Sequence, residues 1–173
     1  GYWLAYLKKL GCQHLYGVDS NYAMVKATVA QGFKAVQGDG IEYLADQPSD
    51  SFAVVSAFHV VEHLPLEALI RLIDESFRIV APGGFVLFET PNPENVTVGA
   101  HTFWFDSSHI KPLPPLAFSF LAEYVGFSDV SIKRMRPVSV KAEISTKKST
   151  DSEIDFIHKS LLGPVDYALI ARP

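Results

Sequence analysis

One stretch of this sequence restricts the possible folds more than any other. Phe52 to Phe58 is apolar at nearly every position, which is the pattern of a strand covered on both faces, as in a parallel sheet. Pro65 then opens a helix whose apolar residues recur on one face, and a second apolar run follows at Phe85 to Phe88. A strand, a helix and a second strand in this order form a parallel β-α-β unit, so we expect an α/β fold with a doubly wound, mostly parallel sheet.

The other predicted elements alternate in the same way. Gly11 and Gly32 each follow a helical pattern, as residues just past a helix end often do, and Ser20 or Asn21 can cap the second helix. The predicted helices are Trp3 to Leu10, one that ends near Gln31, the Pro65 helix with Leu66, Leu69, Ile70, Ile73 and Phe77 inward, and one from Pro114 or Pro115 with Leu116, Phe120, Leu121 and Tyr124 inward. The remaining predicted strands are His14 to Val18, Lys34 to Gln37, Val130 to Lys133 and Val165 to Ala171.

The length of 173 residues predicts a single domain over 1–173. We expect a variable insertion at 136–163, because Ser145 to Asp155 is polar and charged. Either a short crossover helix at Ile154 to Leu162 or an antiparallel pairing can connect the last two strands. Pro91 to Pro115 has no clear period and is predicted to be a long loop, and such loops in compact domains are usually functional or disordered.

Charge and cysteine content exclude several function classes. A formal net charge of −4 provides no electrostatic footprint for nucleic acid. Cys12 is the single cysteine, which excludes an internal disulfide framework and favours a reducing compartment. No apolar run reaches the ~18 residues of a membrane span, and the start of the chain lacks the basic region of a signal peptide. We therefore predict a cytoplasmic protein with no membrane span and no nucleic-acid partner.

Two aspartates follow predicted strands. In doubly wound sheets, ligands bind at the carboxyl ends of the strands, where an acid commonly accepts from a ribose hydroxyl, and Asp19 has this position. An exposed helix cap is an equally good interpretation of Asp19. Asp39 follows the next strand and precedes Gly40 and Ile41. Its carboxylate can accept from an adenine amine, although a plain Gly-Asp-Gly turn explains the same residues.

Five motifs in order make the chain resemble the class I S-adenosylmethionine-dependent methyltransferases. They are LYGVDSN (15–21), VQGDGIEYL (36–44), DSFAVVSAFHVVEHL (50–64), IVAPGGFVLFETPNP (79–93) and the Gly-Phe pair at 126–127. The resemblance implies a Rossmann-like sheet of seven strands whose last strand is antiparallel, with S-adenosylmethionine as the cofactor. It places Asp19 at the ribose, Asp39 with Ile41 at the adenine, and Phe58 with His59 near the methionine part. The implied cofactor-binding residues are Gly1, Asp19, Ser20, Asp39, Gly40, Ile41, Phe58 and His59.

Two further expectations depend on this resemblance. Gly1 matches the last glycine of the family's glycine-rich loop, so we expect the first strand and most of that loop to precede this chain in a longer protein, which can carry further domains. The stretch from Glu89 to Phe127 resembles methyltransferases of bacterial surface-polysaccharide assembly, including the O-antigen type. That resemblance implies an acceptor oxygen on a saccharide hydroxyl or a phosphate.

Histidines are the candidates for the acceptor side of the site. Transfer to a hydroxyl requires removal of a proton, which histidine can accept near neutral pH, and we predict His63, His101 and His109 as catalytic. Alternatively, Glu62 and His63 order the loop before the Pro65 helix, and the long loop is held by its own hydrogen bonds. Phe103 and Trp104 can stack on a sugar or cover the cofactor. We predict no metal site, because the set of His59, His63 and Asp106 lacks the spacing of known zinc sites.

Two other functions remain open at this stage. A nicotinamide-dependent dehydrogenase also carries an acid after its second strand, and its Gly-x-Gly-x-x-Gly motif would precede this chain. A non-catalytic, methyltransferase-like scaffold is the other alternative.

Overall fold

The computed structural model describes residues 1–136 and 161–173. The chain divides into two compact units, Gly1–Pro48 (unit 1) and Ser49–Pro173 (unit 2). The predicted insertion at 136–163 falls almost entirely outside the described residues, as does the charged stretch from Ser145 to Asp155. Whether the chain is one domain therefore stays a prediction.

Unit 1 is built from two parallel strands and three helices. Strands β1 and β2 pair with Tyr16 opposite Lys34 and Asp19 opposite Gln37, so both strands end at the same edge of this small sheet. The bounds are α1 Tyr2–Lys9, β1 Tyr16–Asp19, α2 Tyr22–Ala30, β2 Lys34–Gln37 and α3 Gly40–Ala45. Helix α3 was not predicted, because the Gly-Asp-Gly sequence before it is also typical of a plain turn.

Unit 2 contains a four-stranded sheet and three α-helices in its described residues. The bounds are β3 Phe52–Phe58, α4 Leu66–Ile79, β4 Val80–Pro91, α5 Val96–Ala100, α6 Pro115–Val125, β5 Asp129–Met135 and β6 Asp166–Arg172. Two short 3-10 helices cover Val61–His63 and Thr102–Phe105. No helix in residues 1–136 or 161–173 has the length and apolarity needed to cross a membrane.

The strand order in unit 2 is β3-β4-β6-β5. Strands β3 and β4 are parallel, and β6 is antiparallel to both β4 and β5. The antiparallel alternative for the last two strands is therefore confirmed, and a parallel arrangement of them is wrong. The helix predicted at Ile154 to Leu162 lies mostly outside the described residues. All six strands predicted within the chain are present among the described residues. A seventh strand stays a prediction.

Strand β4 is much longer than the predicted Phe85 to Phe88, because it begins immediately after α4. Pro82, Gly83 and Gly84 lie inside this strand, where the register against β3 shifts between Phe52 and Val54. A Cβ atom on Gly84 would lie 2.6 Å from the Ala53 carbonyl oxygen. The glycine therefore lets the two strands approach closely at the irregularity.

Helix α6 packs on a different face from the one predicted. Phe118 and Ala122 are fully buried, and the Phe118 ring lies 5.9 Å from that of Phe88. Leu116 is 81% exposed, and Phe120 and Tyr124 are also exposed. Helix α6 itself carries apolar residues on every side, so the spacing of those residues does not identify its buried face. In α4 the predicted face is confirmed at Leu69 and Ile73 but is wrong at Leu66, which is exposed at the first helical position.

The predicted long loop after β4 contains α5 and a 3-10 helix. Two buried asparagines anchor it at its start, because Asn92 Nδ2 donates to the Pro164 carbonyl at 3.0 Å and Asn95 Nδ2 donates to the Gly163 carbonyl at 2.6 Å. Asn95 also caps α5 through the backbone NH of Val98. These contacts hold the segment that carries His101 and His109.

Candidate active site

Asp19 and Ser20 lie at the carboxyl end of β1, as predicted. Asp19 is exposed, and its Oδ1 accepts from the backbone NH of Asn21 at 2.8 Å. The cap of α2 is Asn21, whose side chain accepts from the Ala23 NH. The Ser20 carbonyl accepts from Gln37 Nε2 at 3.1 Å, which ties the ends of β1 and β2 together. Asp19 is therefore not the helix cap, and its outer carboxylate edge can accept from a ligand hydroxyl.

Asp39, Gly40 and Ile41 follow β2 and open α3. Asp39 Oδ1 accepts from the backbone NH groups of Ile41 at 2.7 Å and Glu42 at 3.1 Å, so this aspartate caps α3. Asp39 and Gly40 are exposed, whereas Ile41 is buried. The Ile41 side chain was predicted to provide an apolar face for adenine, but it is covered by the protein and cannot provide one. Asp39 Oδ2 is the atom that can accept from an amine.

Gly1 and Asp19 line one cleft of unit 1. The cleft has a volume of about 150 Å³, and Gly17, Val18 and Ala35 also contribute to its wall. A Cβ atom on Gly1 would lie 2.7 Å from Gln31 Oε1, so this position has no room for a larger residue without a shift of that side chain. Ligand pockets usually measure about 300–1,000 Å³, so this cleft can hold only part of a nucleoside cofactor.

Phe58 and His59 lie at the carboxyl end of β3 in unit 2. Phe58 ends the strand with an exposed ring. His59 has a φ of 52°, a left-handed conformation that is uncommon for residues other than glycine and often marks functional sites. Its backbone NH donates to the Glu89 carbonyl at 2.9 Å. This contact holds the turned backbone against β4.

The His59 side chain lies between two carboxylates. Its Nδ1 is 3.1 Å from Glu62 Oε1, and its Nε2 is 3.6 Å from Glu89 Oε1. The hydrogen bond to Glu62 raises the pKa of His59, with a further contribution from the charge of Glu89, against the effects of burial and of Arg136. The site therefore favours the charged imidazolium at the end of β3.

Glu62 is the buried centre of this region. It is 1% exposed, and its Oε2 accepts from Thr90 Oγ1 at 2.9 Å. Burial acts to raise the pKa of Glu62, but hydrogen bonds from His59, the backbone and Thr90 lower it below its ordinary value. Glu62 also accepts from the Ile110 NH through its own carbonyl. The interpretation of Glu62 as a residue that orders the loop agrees with these contacts.

His63 takes part in a chain of hydrogen bonds. Ser108 Oγ donates to Asp106 Oδ1 at 2.5 Å and lies 3.0 Å from His63 Nδ1. Because the Ser108 proton is used by the aspartate, the hydroxyl oxygen accepts from His63, which assigns the proton of the neutral ring to Nδ1. His63 Nε2 therefore keeps its lone pair.

A hydrogen bond to a different partner fixes the same tautomer of His109. Its Nδ1 lies 2.6 Å from the Phe103 carbonyl oxygen, which can only accept, so Nδ1 carries the proton. Its ring centroid lies 4.6 Å from that of His63. One atom from each of Glu62, His63 and His109 lies within 4.8 Å of the others. The structure thus brings together two of the three predicted catalytic histidines.

His101 is not part of this cluster of ligand atoms. Its exposed ring contacts the Phe105 ring at 4.7 Å between centroids. Phe103 is buried and packs on the His109 ring at 4.4 Å, so it offers no open face to a sugar. Trp104 and Phe105 are exposed. Of the two aromatic residues predicted to stack on a ligand, only Trp104 is available.

Sequence reasoning did not identify Ser108 or Glu89 as members of this region. Glu62 was recognised only as a partner of His63, and Ser108 stands 45 positions from His63. No short motif contains both residues. The available signal was the proximity in sequence of Ser108 and His109 in a long loop, which usually indicates function but does not identify partners.

Comparisons with known proteins agree with the resemblance. A family model described as a methyltransferase domain matches residues 1–132. A S-adenosylmethionine-dependent methyltransferase of Archaeoglobus fulgidus is 30% identical with a TM-score of 0.88, and the match covers 99% of this chain and 80% of that one. No curated protein matches significantly.

More distant structures share the fold. A S-adenosylmethionine-dependent methyltransferase of Mesorhizobium loti is 16% identical with a TM-score of 0.70, covering 100% of this chain and 86% of that one. A phosphoethanolamine N-methyltransferase of Haemonchus contortus, in complex with S-adenosylmethionine, is 15% identical with a TM-score of 0.65. The match covers 91% of this chain and 43% of that one. These matches remove the basis for the dehydrogenase alternative. Together with the family match over most of the chain, they show that this protein belongs to the class I S-adenosylmethionine-dependent methyltransferases and uses S-adenosylmethionine as its cofactor.

Proposed function

We propose that this enzyme transfers a methyl group to an oxygen acceptor, a saccharide hydroxyl or a phosphate, in cell-surface polysaccharide synthesis. The observation that carries the proposal is the pair of imidazoles of His63 and His109, whose tautomers are set by Ser108 and Phe103. A hydroxyl acceptor must lose a proton during the transfer, and a neutral imidazole with a free nitrogen can take it. The resemblance of the stretch from Glu89 to Phe127 to polysaccharide methyltransferases supports the choice of acceptor.

The chain's own carboxylates fit the cofactor. S-adenosylmethionine supplies an activated methyl group on a sulfonium. Asp19 and Asp39 are exposed at the ends of two paired parallel strands, where a ribose diol and an adenine amine need acceptors. We propose that Asp19 holds the ribose and that Asp39 Oδ2 accepts from the amine. Gly1, Ser20, Gly40 and the backbone of Ile41 form the surrounding contacts, and Phe58 and His59 bind the methionine part.

The resemblance also implies a seventh strand. We propose that it precedes Gly1 in the full-length protein, where it completes the glycine-rich loop. The exposed, free thiol of Cys12 fits the reducing cytoplasm, which is our proposed location.

Calorimetric titration with S-adenosylhomocysteine tests the cofactor roles. The Asp19→Ala variant should lose most of its affinity while its circular dichroism spectrum is unchanged. Asp74→Ala removes an exposed carboxylate on α4 and should bind like the native chain. The native full-length protein is titrated in parallel. Equal binding by the native protein and Asp19→Ala would refute the ribose assignment, and binding by the full-length protein alone would support a contribution from the proposed strand before Gly1.

Transfer of a labelled methyl group tests the acceptor. Oligosaccharide and phosphosaccharide acceptors should become labelled, and His63→Ala should lower kcat by about 10²–10⁴-fold, the usual contribution of a general base. His14→Ala, which removes an exposed imidazole of unit 1 that has no proposed role, should leave kcat within about twofold. Exclusive labelling of amines, protein or nucleic acid would refute the proposed acceptor class.

A further inference from the structure

We propose that Glu62, His63 and His109 bind a divalent transition-metal cation. The three side chains each offer a ligand atom, and these atoms lie within 4.8 Å of one another. Metal–nitrogen and metal–oxygen bonds of about 2.0–2.2 Å bring ligand atoms to roughly 3–3.5 Å from each other. Binding of one ion would therefore draw these atoms closer together than the 4.8 Å within which they lie.

The hydrogen bonds of both histidines are those of metal ligands. A ligating histidine usually donates its other ring NH to a carboxylate, a backbone carbonyl or a similar acceptor, which fixes the tautomer and the ring orientation. His63 Nδ1 donates to Ser108, which is itself bonded to Asp106, and His109 Nδ1 donates to the Phe103 carbonyl. Each neutral ring therefore keeps one unprotonated nitrogen, Nε2, that can bind a cation.

The charge of the site also suits a cation. Glu62 is buried and its contacts with His59 and Thr90 favour the ionised form. Each carboxylate oxygen has two lone-pair sites, so both of these hydrogen bonds leave room for a metal bond. Asp106 Oδ2 lies 4.0 Å from His109 Nε2 and adds a second negative charge at the rim. The His59 imidazolium already pairs with Glu62, so the carboxylates of Glu62 and Asp106 offset part of the charge of a divalent ion.

A second group of possible ligands is less suitable. His59, Glu89 and Asp166 also offer atoms within 4.8 Å. Asp166 already pairs with the guanidinium of Arg136, however. A cationic side chain therefore occupies the position that a metal would need, and the inference is restricted to Glu62, His63 and His109.

The donor set indicates the class of metal. Imidazole nitrogen suits zinc, copper, iron and nickel, whereas calcium, magnesium and manganese prefer oxygen ligands. Three protein ligands leave positions open for exogenous oxygen. If the proposed function holds, the acceptor oxygen binds at those positions and the cation lowers the pKa of its hydroxyl, so that the proton passes to water while His63 and His109 act as metal ligands in place of a free base. This catalytic role rests on the proposed function, but the binding of the metal does not.

Titration with Co²⁺, followed by its visible absorption, tests the site without cofactor or acceptor. We expect one equivalent to bind with the spectrum of mixed nitrogen and oxygen ligation, and Zn²⁺ to displace it. His109→Ala and His63→Ala should each weaken binding at least about tenfold, and Asp106→Asn about 10- to 100-fold through the orientation of His63. His101→Ala is the control and should bind like the native protein.

Two outcomes would overturn the inference. Co²⁺ binding that is the same in native protein and in a folded His63→Ala, His109→Ala double variant would place the metal elsewhere, and absence of binding to native protein would show that the cluster is only structural. Titration with S-adenosylhomocysteine on the same samples separates the two proposals, since the cofactor residues lie outside the cluster. Methyl transfer that survives complete removal of a bound metal would refute its catalytic role.

Discussion

Replacement of Thr90 by Val tests how the buried carboxylate of Glu62 is stabilised. The Thr90 hydroxyl donates to Glu62 Oε2 at 2.9 Å, and both residues are buried. Valine keeps the branched shape and removes only the donor. A hydrogen bond to a charged group contributes about 1.5–3 kcal/mol, and a buried acceptor left without its donor keeps its desolvation cost. We therefore expect the free energy of unfolding of Thr90→Val to fall by about 1.5–3 kcal/mol near neutral pH.

The pH dependence of this loss follows from the pKa of Glu62. Burial raises that pKa, but the hydrogen bonds from His59, the backbone and Thr90 lower it below the ordinary value of 4.5. A carboxyl whose folded pKa is depressed contributes stability above its unfolded pKa and loses that contribution as the pH falls through the folded pKa. Thr90→Val raises the folded pKa. The difference between variant and native protein should therefore be largest above pH 4.5 and shrink in more acidic solution.

Urea unfolding followed by circular dichroism at about pH 7 and about pH 3.5 measures both effects. Thr97→Val, an exposed residue of α5, is the matched control and should change the free energy of unfolding by less than about 0.5 kcal/mol. A loss below about 0.5 kcal/mol for Thr90→Val would show that the Glu62 carboxylate does not depend on this donor. The same loss at both pH values would show that ionisation of Glu62 is not involved.

Two other substitutions test the packing of unit 2 by denaturant unfolding. Phe118→Ala should lower the free energy of unfolding by about 3–5 kcal/mol because the Phe118 ring is fully buried. Leu116→Ala, on the exposed face of α6, should lower it by less than about 0.5 kcal/mol. The reverse order of the two losses would mean that α6 packs on its predicted face. Gly84→Ala should cost about 1–3 kcal/mol, since the new Cβ would lie 2.6 Å from a carbonyl of β3, and a neutral effect would show that the strands separate easily.

Much of the fold follows from local patterns. The strands at Lys34–Gln37 and Phe52–Phe58 have the predicted bounds, because an apolar run between polar turns has few alternatives. Helix α2 ends at Ala30, next to the predicted end near Gln31, and α6 ends at Val125, immediately before the predicted stop at Gly126. A glycine just past a helix is a local signal for its end. Local patterns were insufficient for α6, where apolar residues on every side fit several faces equally well, and for α3, which is too short for a clear period.

Some features of the candidate site could also be predicted from the sequence, and others could not. The positions of Asp19 and Asp39 at the carboxyl ends of β1 and β2 could be predicted because both follow short apolar runs; their roles at the cofactor stay a proposal. The association of His63 with His109 could not, because these residues are 46 positions apart and meet only when the long loop returns over the 3-10 helix at Val61–His63. The buried state of Phe103 and Ile41 could not be predicted either, since an apolar side chain in a turn can be covered or open.

The sequence alone determined the alternation of strands and helices, the carboxylates at the strand ends and the membership of a methyltransferase family. These properties depend on neighbouring residues or on ordered motifs, which the chain carries whatever its tertiary contacts. Only the tertiary structure decided which face of α6 is buried, where β6 inserts between β4 and β5, and which histidines share a partner. Those outcomes depend on the packing of residues far apart in the chain, because the free energy of burial and of long-range hydrogen bonds is set by contacts that local sequence does not encode.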